Sequence, residues 1–173
     1  MSNQVKRLTL SAFFLALGLV LPFVFHSFGP QAGAVFLPMH IPVLLCGFVC
    51  GPAYGALVGV VTPLLSSALT GMPPLMPTGI AMCLELAAYG LLSGFITKKL
   101  PLYPSLIITM LAGRAVSGLA NLVLLSMAGK AYTLHIFLTA AFITAIPGIL
   151  LQLVIVPLLV SVVKKGEVRK AED

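Results

Sequence analysis

The chain has 173 residues, 60% hydrophobic and only 8% charged, with a net charge of +6 and a mean hydropathy of +1.13. A globular domain carries about 25% charged residues, so this composition excludes a water-facing exterior, and six apolar stretches of about 20 residues nearly exhaust the length. That leaves no room for a soluble catalytic or nucleotide-binding domain, and the basic residues flank apolar runs instead of gathering into a nucleic-acid face.

In chain order, the expected membrane spans are 8–25, 36–51, 53–70, 77–97, 103–128 and 135–163. The fold class is all-α, a single six-helix membrane domain over 1–173. The first stretch has the basic start and apolar run of a signal peptide, but no small-residue cleavage site follows, so a retained span is expected. Gly- and Pro-rich separators punctuate the spans: His26-Ser27-Phe28-Gly29-Pro30, Gly51-Pro52, Gly71-Met72-Pro73-Pro74 and Leu100-Pro101. Pro ends a helix and Gly accepts positive φ, so each separator reads as a turn. The tightest is 51–53, where two spans meet almost without a loop.

Basic residues set the expected orientation. With the N-terminus inside, six spans place 1–7, 98–102 and the basic tail 164–173 in the cytoplasm, and these segments hold eight of the ten Lys and Arg residues. Both termini are then cytoplasmic, in a bacterial cytoplasmic membrane, and 26–38, 71–76 and 129–134 lie outside. Cys46, Cys50 and Cys83 sit within apolar segments as buried small hydrophobes. No His or Cys cluster completes a metal site, and no Walker loop or nucleophile–base pair is present. The chain is therefore expected to be no enzyme and to use no cofactor and no metal.

Two charges stand out, Glu85 and Arg114, because they are the acidic and basic residues well inside the apolar segments. An ionised group at bilayer depth costs roughly 3 kcal/mol on insertion scales, so it faces a partner, a cavity or a ligand. Arg114, Ser117, Gly118 and Asn121 share one helical face at i, i+3, i+4 and i+7. Thr78, Ala81, Glu85 and Tyr89 form a similar stripe, as do Gly55, Gly59, Thr62, Ser66 and Thr70, and then Ala141, Ala145, Gly148 and Gln152. Such mixed faces suit a polar cavity between helices. The short 98–102 connection makes the fourth and fifth spans neighbours, so Glu85 and Arg114 can meet. They would either bind a polar solute or lock helix register. Arg suits an anion, because its planar fork matches a carboxylate. His40 lies near the outer start of the second span, at a pocket mouth or among headgroups, while His26 and His135 read as interfacial.

Gly47-x-x-x-Gly51, Gly55-x-x-x-Gly59 and Gly90-x-x-x-Gly94 would let helices approach closely. Ala12-x-x-x-Ala16 in the first span lies among Phe13, Phe14 and Leu15, so the two alanines form a shallow notch suited to a partner helix.

Together with Gly51-Pro52-Ala53-Tyr54-Gly55-Ala56-Leu57-Val58-Gly59, the alanine pair and the six-span pattern resemble the substrate-binding S-components of energy-coupling factor (ECF) vitamin transporters. The resemblance covers essentially the whole chain. It implies a subunit that captures a small water-soluble vitamin outside and topples in the membrane to release it, driven by a transmembrane coupling subunit and two cytoplasmic ATPases. Carried over, Ala12 and Ala16 would be the docking surface. The outer ends of the last three helices and the 26–38 loop would form the vitamin pocket, with His40, Glu85, Arg114, Asn121 and Gln152 as its polar residues. The stretch Phe36-Leu37-Pro38-Met39-His40-Ile41-Pro42-Val43 looks like the pantothenate branch. The rival expectations are a self-sufficient carrier or channel, a small membrane enzyme, and a purely structural membrane subunit.

Overall fold

The computed structural model describes residues 3–29 and 31–172, and the side chains of these except at 26 and 164–172. The expected interfacial role of His26 and the basic tail from Lys164 onward therefore fall outside the described side chains. The described residues contain no strand. The helices are α1 (Asn3–His26), α2 (Ala32–Phe36), α3 (His40–Cys50), α4 (Pro52–Thr70), α5 (Ile80–Ile96), α6 (Leu102–Met127), α7 (Leu134–Leu138) and α8 (Ile146–Glu172). Six stretches are long and apolar enough to cross a membrane: Asn3–Phe25, Ala32–Cys50, Pro52–Thr70, Leu75–Ile96, Leu102–Met127 and Ile146–Val163.

Two spans differ from their expected outlines. The segment before the second span holds the short helix α2, which ends on Leu37 in the left-handed region (φ 51°, ψ 47°) before the chain turns into α3. The expected helix over 135–163 is broken. Its first part is α7 and an irregular turn at 139–143, and the continuous apolar helix begins only at Ile146. Thr144, Pro147 and Gly148 interrupt the run at the break, and Pro147 falls in the first turn of α8, where a missing N–H costs nothing.

The core is organised around α3. Its sequence, His-Ile-Pro-Val-Leu-Leu-Cys-Gly-Phe-Val-Cys, is apolar on every side after the first residue, and such a helix belongs in an interior. It is buried nearly throughout and packs on α1, α4, α5 and α8. Between α3 and α4, a single residue, Gly51, reverses the chain at φ 101°, and Pro52 starts the next helix at its first position.

The closest packing is that of α4 on α5. A Cβ on Gly90 would strike the backbone of Gly55, one on Gly55 would strike Gly90, and one on Gly59 would strike the backbone at Leu86. Gly47 and Gly94 are equally confined, between α3, α5 and the Gly51–Pro52 turn. The glycine motifs thus act as helix contacts inside the bundle, where small residues let backbones approach without a side-chain spacer.

Gly90→Ala is expected to lower the apparent melting temperature in detergent, with an overpacking cost of about 1–3 kcal/mol. Leu91→Ala, on the exposed face of the same helix, is the control and is expected to change it little.

Candidate functional site

At the end of the bundle where α3 and α5 begin, α1, α2, α3, the 71–74 loop, α5 and α6 enclose a cavity of about 360 Å³. The size falls at the lower edge of ligand pockets, which run to roughly 1,000 Å³. Its wall is mostly apolar, with Pro22, Leu37, Pro38, Met39, Met72, Pro73, Pro74 and Met82. Polar groups are few: His40, Glu85, and Arg114 with Ser117 and Asn121 come from three helices, and Ser66 of α4 and Thr78 before α5 complete the set.

Glu85 is the hub. Its Oε1 accepts from Arg114 Nη1 at 3.0 Å and lies 3.3 Å from His40 Nε2. The Ser117 hydroxyl lines the same cavity, 3.5 Å from the Asn121 amide nitrogen. All three members of the cluster are buried, Glu85 at 3%, His40 at 2% and Arg114 at 8% exposure, so solvent screens the ion pair little. A neutral His40 places its proton on Nε2, facing the acceptor, and the cluster then carries one negative and one positive charge. Two of its nitrogens, His40 Nδ1 and Arg114 Nη2, are buried without a hydrogen-bond partner among the described residues.

Packing behind the cluster fixes its geometry. Tyr89, one turn beyond Glu85 on α5, is fully buried and donates its hydroxyl to the Met110 carbonyl of α6 at 3.2 Å. The edge of its ring meets that of His40 at 5.2 Å between centroids. A Cβ on Gly113 would strike the Tyr89 ring at 2.9 Å, so the glycine makes room for it. Tyr89 therefore links α3, α5 and α6 beneath the ion pair.

The structure brings Glu85, Arg114 and Asn121, from two of the helical stripes, to one cavity with His40, which lies on none of them. His40 occupies neither the headgroup region nor an open mouth; it is inside the bundle, because α3 is the central helix. Asn121 returns its amide N–H to the Ser117 carbonyl at 2.9 Å, which leaves its side-chain oxygen for another donor. Gln152 is fully buried in α8, with neither amide atom paired among the described residues, and is not part of the cavity wall. One turn earlier, Gly148 lies against the backbone of Val35 and Phe36.

Other members of the stripes have packing duties. Gly118 receives the Phe137 ring. Thr62 returns its hydroxyl to Val58 at 2.6 Å, and its methyl fills the space over Gly18 of α1. Ser66 borders the cavity but donates to the Met72 carbonyl at 2.7 Å, so it fastens the 71–74 loop. Thr70 helps, donating to the same carbonyl at 3.1 Å. The Tyr132 phenol, outside the spans, is pushed up by burial and then by the Glu85 charge.

Leu37 and Pro38 lie in the 26–38 loop expected at the pocket, whereas Pro22, Met39 and Met82 were missed, because apolar residues in an apolar chain carry no distinguishing signal. Ser117 was legible in the α6 stripe. On α1, Ala12 and Ala16 are both exposed, beside Phe13, whereas Phe14 turns inward and is 5% exposed. Phe14 therefore belongs to the core and does not flank the alanine notch.

A family model described as "ECF transporter, substrate-specific component" matches residues 6–160. No curated protein and no solved structure matches the chain.

Removing one partner of a buried ion pair leaves the other charge uncompensated, so Glu85→Gln and Arg114→Gln are each expected to cost about 3 kcal/mol. The double variant is expected to cost clearly less than their sum, read as a double-mutant cycle of thermal stability.

Proposed function

Because the chain belongs to the family of ECF transporter substrate-specific components, we propose that the buried cluster of His40, Glu85 and Arg114 captures a small water-soluble vitamin, pantothenate. The family makes the chain a multi-pass protein of the bacterial cell membrane and a transporter component, with a small-molecule substrate and ECF module partners. The finer reading rests above all on one observation. An Arg–Glu pair with a guanidinium nitrogen that no described residue partners stands at the wall of a mostly apolar cavity of ligand size.

Chemistry favours this ligand class at each position. Arg114 uses Nη1 on Glu85, and its buried Nη2 has no partner among the described residues, so the guanidinium has hydrogen-bonding capacity left. A carboxylate there gains a charge-assisted hydrogen bond in a low-dielectric setting. Glu85 accepts hydroxyl or amide donors, and the free Asn121 oxygen accepts another. The Met and Pro wall suits the branched hydrocarbon of the pantoate half. Because the Glu85 charge balances that of Arg114, a second carboxylate in the ligand would find no further cation in the cavity wall.

Assembly follows the same reading. Ala12 and Ala16, on the exposed face of α1, form the contact to the transmembrane coupling subunit, and two cytoplasmic ATPases energise uptake. The N-terminus and C-terminus face the cytoplasm, so the cavity opens outward.

Two experiments test this. In thermal-shift and calorimetric titrations of detergent-purified protein, pantothenate is expected to raise the melting temperature, since a ligand that binds only the folded form stabilises it. Pantothenyl alcohol, with a hydroxyl in place of the carboxylate, is expected to bind about 10- to 100-fold more weakly, the worth of a hydrogen bond to a charged group. Equal binding of acid and alcohol would remove Arg114 as the carboxylate receptor. Separately, the pair Ala12→Phe and Ala16→Phe is expected to keep ligand binding and lose co-purification with the coupling subunit; assembly that survives both changes refutes the docking role.

A further inference from the structure

A second cavity, of about 190 Å³, lies between α6 and α8. On α6 it is bounded by Ile107, Met110 and Leu111, on α8 by Ile149 and Leu153, and at the 139–143 turn by Phe142, all apolar. The two helices touch sparsely, so the space is a cleft between neighbours that do not close on each other. Arg114 borders this cleft as well as the ligand cavity, and is the one residue common to both walls.

Position decides what can fill it. Both helices are membrane spans. On α6 the cleft covers positions 107 to 114, about 8–18 Å from the Leu102 end at 1.5 Å per residue. That depth is hydrocarbon in a core about 30 Å thick, beyond the reach of headgroups and water. Ile107 and Leu111 are 47% and 54% exposed, so the rim faces the surrounding medium, which at that depth is lipid. The cleft runs along the helix axis for about 10 Å, the direction in which acyl chains lie. An unfilled apolar gap would forfeit the dispersion contacts of its lining, and hydrocarbon is the material at hand to restore them.

We propose that a phospholipid acyl chain occupies the α6–α8 cleft as an integral part of the folded protein. The chain wedges α6 away from α8 and backs the helix that carries Arg114, so that the guanidinium stays on Glu85. Lipid contact at this site is therefore coupled to the ligand cavity through a single residue. The inference rests on the membrane setting and on the cleft, and its readout does not require the ligand to be known.

The test uses full-length protein in nanodiscs containing phosphatidylglycerol with a diazirine at the middle of one acyl chain, with adducts mapped by peptide mass spectrometry after irradiation. Adducts are expected on Met110, Ile149 and Leu153, in addition to those on the outward-facing Leu150 and Val154. In Leu153→Trp, which fills the cleft, adducts at Met110 and Ile149 are expected to be lost while those at Leu150 and Val154 persist. Adducts confined to Leu150 and Val154 in the wild type would show that the helices close on each other, and would overturn the proposal whether or not the variant folds. Persistence of the Met110 and Ile149 adducts in a folded Leu153→Trp protein would overturn it too.

Discussion

A carboxylate and a guanidinium held 3.0 Å apart inside a membrane bundle are the constraint on which the other features depend. Neither charge is tolerable alone at that depth, and together they are stable only if both remain in one geometry. His40 takes up further hydrogen-bonding capacity of the carboxylate. Even so, Arg114 Nη2 and His40 Nδ1 have no partner among the described residues. A half-satisfied polar group in an apolar interior is costly, so the cluster is expensive to build.

Holding the pair needs a rigid frame on one side and some slack on the other. The frame is α3, α4 and α5, drawn together at Gly47, Gly55, Gly59, Gly90 and Gly94 until backbones touch. Tyr89 extends it to α6 through its hydrogen bond to Met110, over the space that Gly113 leaves. The other side is looser. The helix α8 contacts α6 sparsely, and the chain before it is broken into α7 and an irregular turn. The two cavities lie beside α6 and share Arg114 in their walls, where close packing gives way.

Much of the site was legible because α-helical spacing is strict. Residues three and four apart share a face, so Arg114, Ser117 and Asn121 had to point one way, and Glu85 lay on a comparable stripe one helix earlier. The spacing did not reveal which hydrogen-bonding groups were already committed. Ser66 and Thr62 resembled cavity residues, yet one fastens a loop and the other bonds its own helix. His40 was ambiguous for a related reason. Its place near the start of a span suggested the membrane surface, whereas the central position of α3 buries it. Phe14 looked like a neighbour of the alanine notch because it is adjacent in sequence, but adjacent helical residues lie about a third of a turn apart and face different surroundings.

Composition alone determined the solvent of this protein. So few charges and so much apolar length leave lipid as the only exterior it can have, and helices as the way to satisfy its backbone there. Turn chemistry located the connections, Gly51 and Gly71 above all, because positive φ is a local demand that glycine meets. Tertiary structure decided the rest: that α3 sits at the centre, that Leu37 bends α2 over the cavity, that the last span breaks near residue 144, and that Arg114 faces both a polar cavity and an apolar cleft. Those outcomes depend on which helices become neighbours, and in a chain where nearly every face is apolar, hydrophobicity does not select among them. Glycines and two charges do, through contacts between residues far apart in sequence.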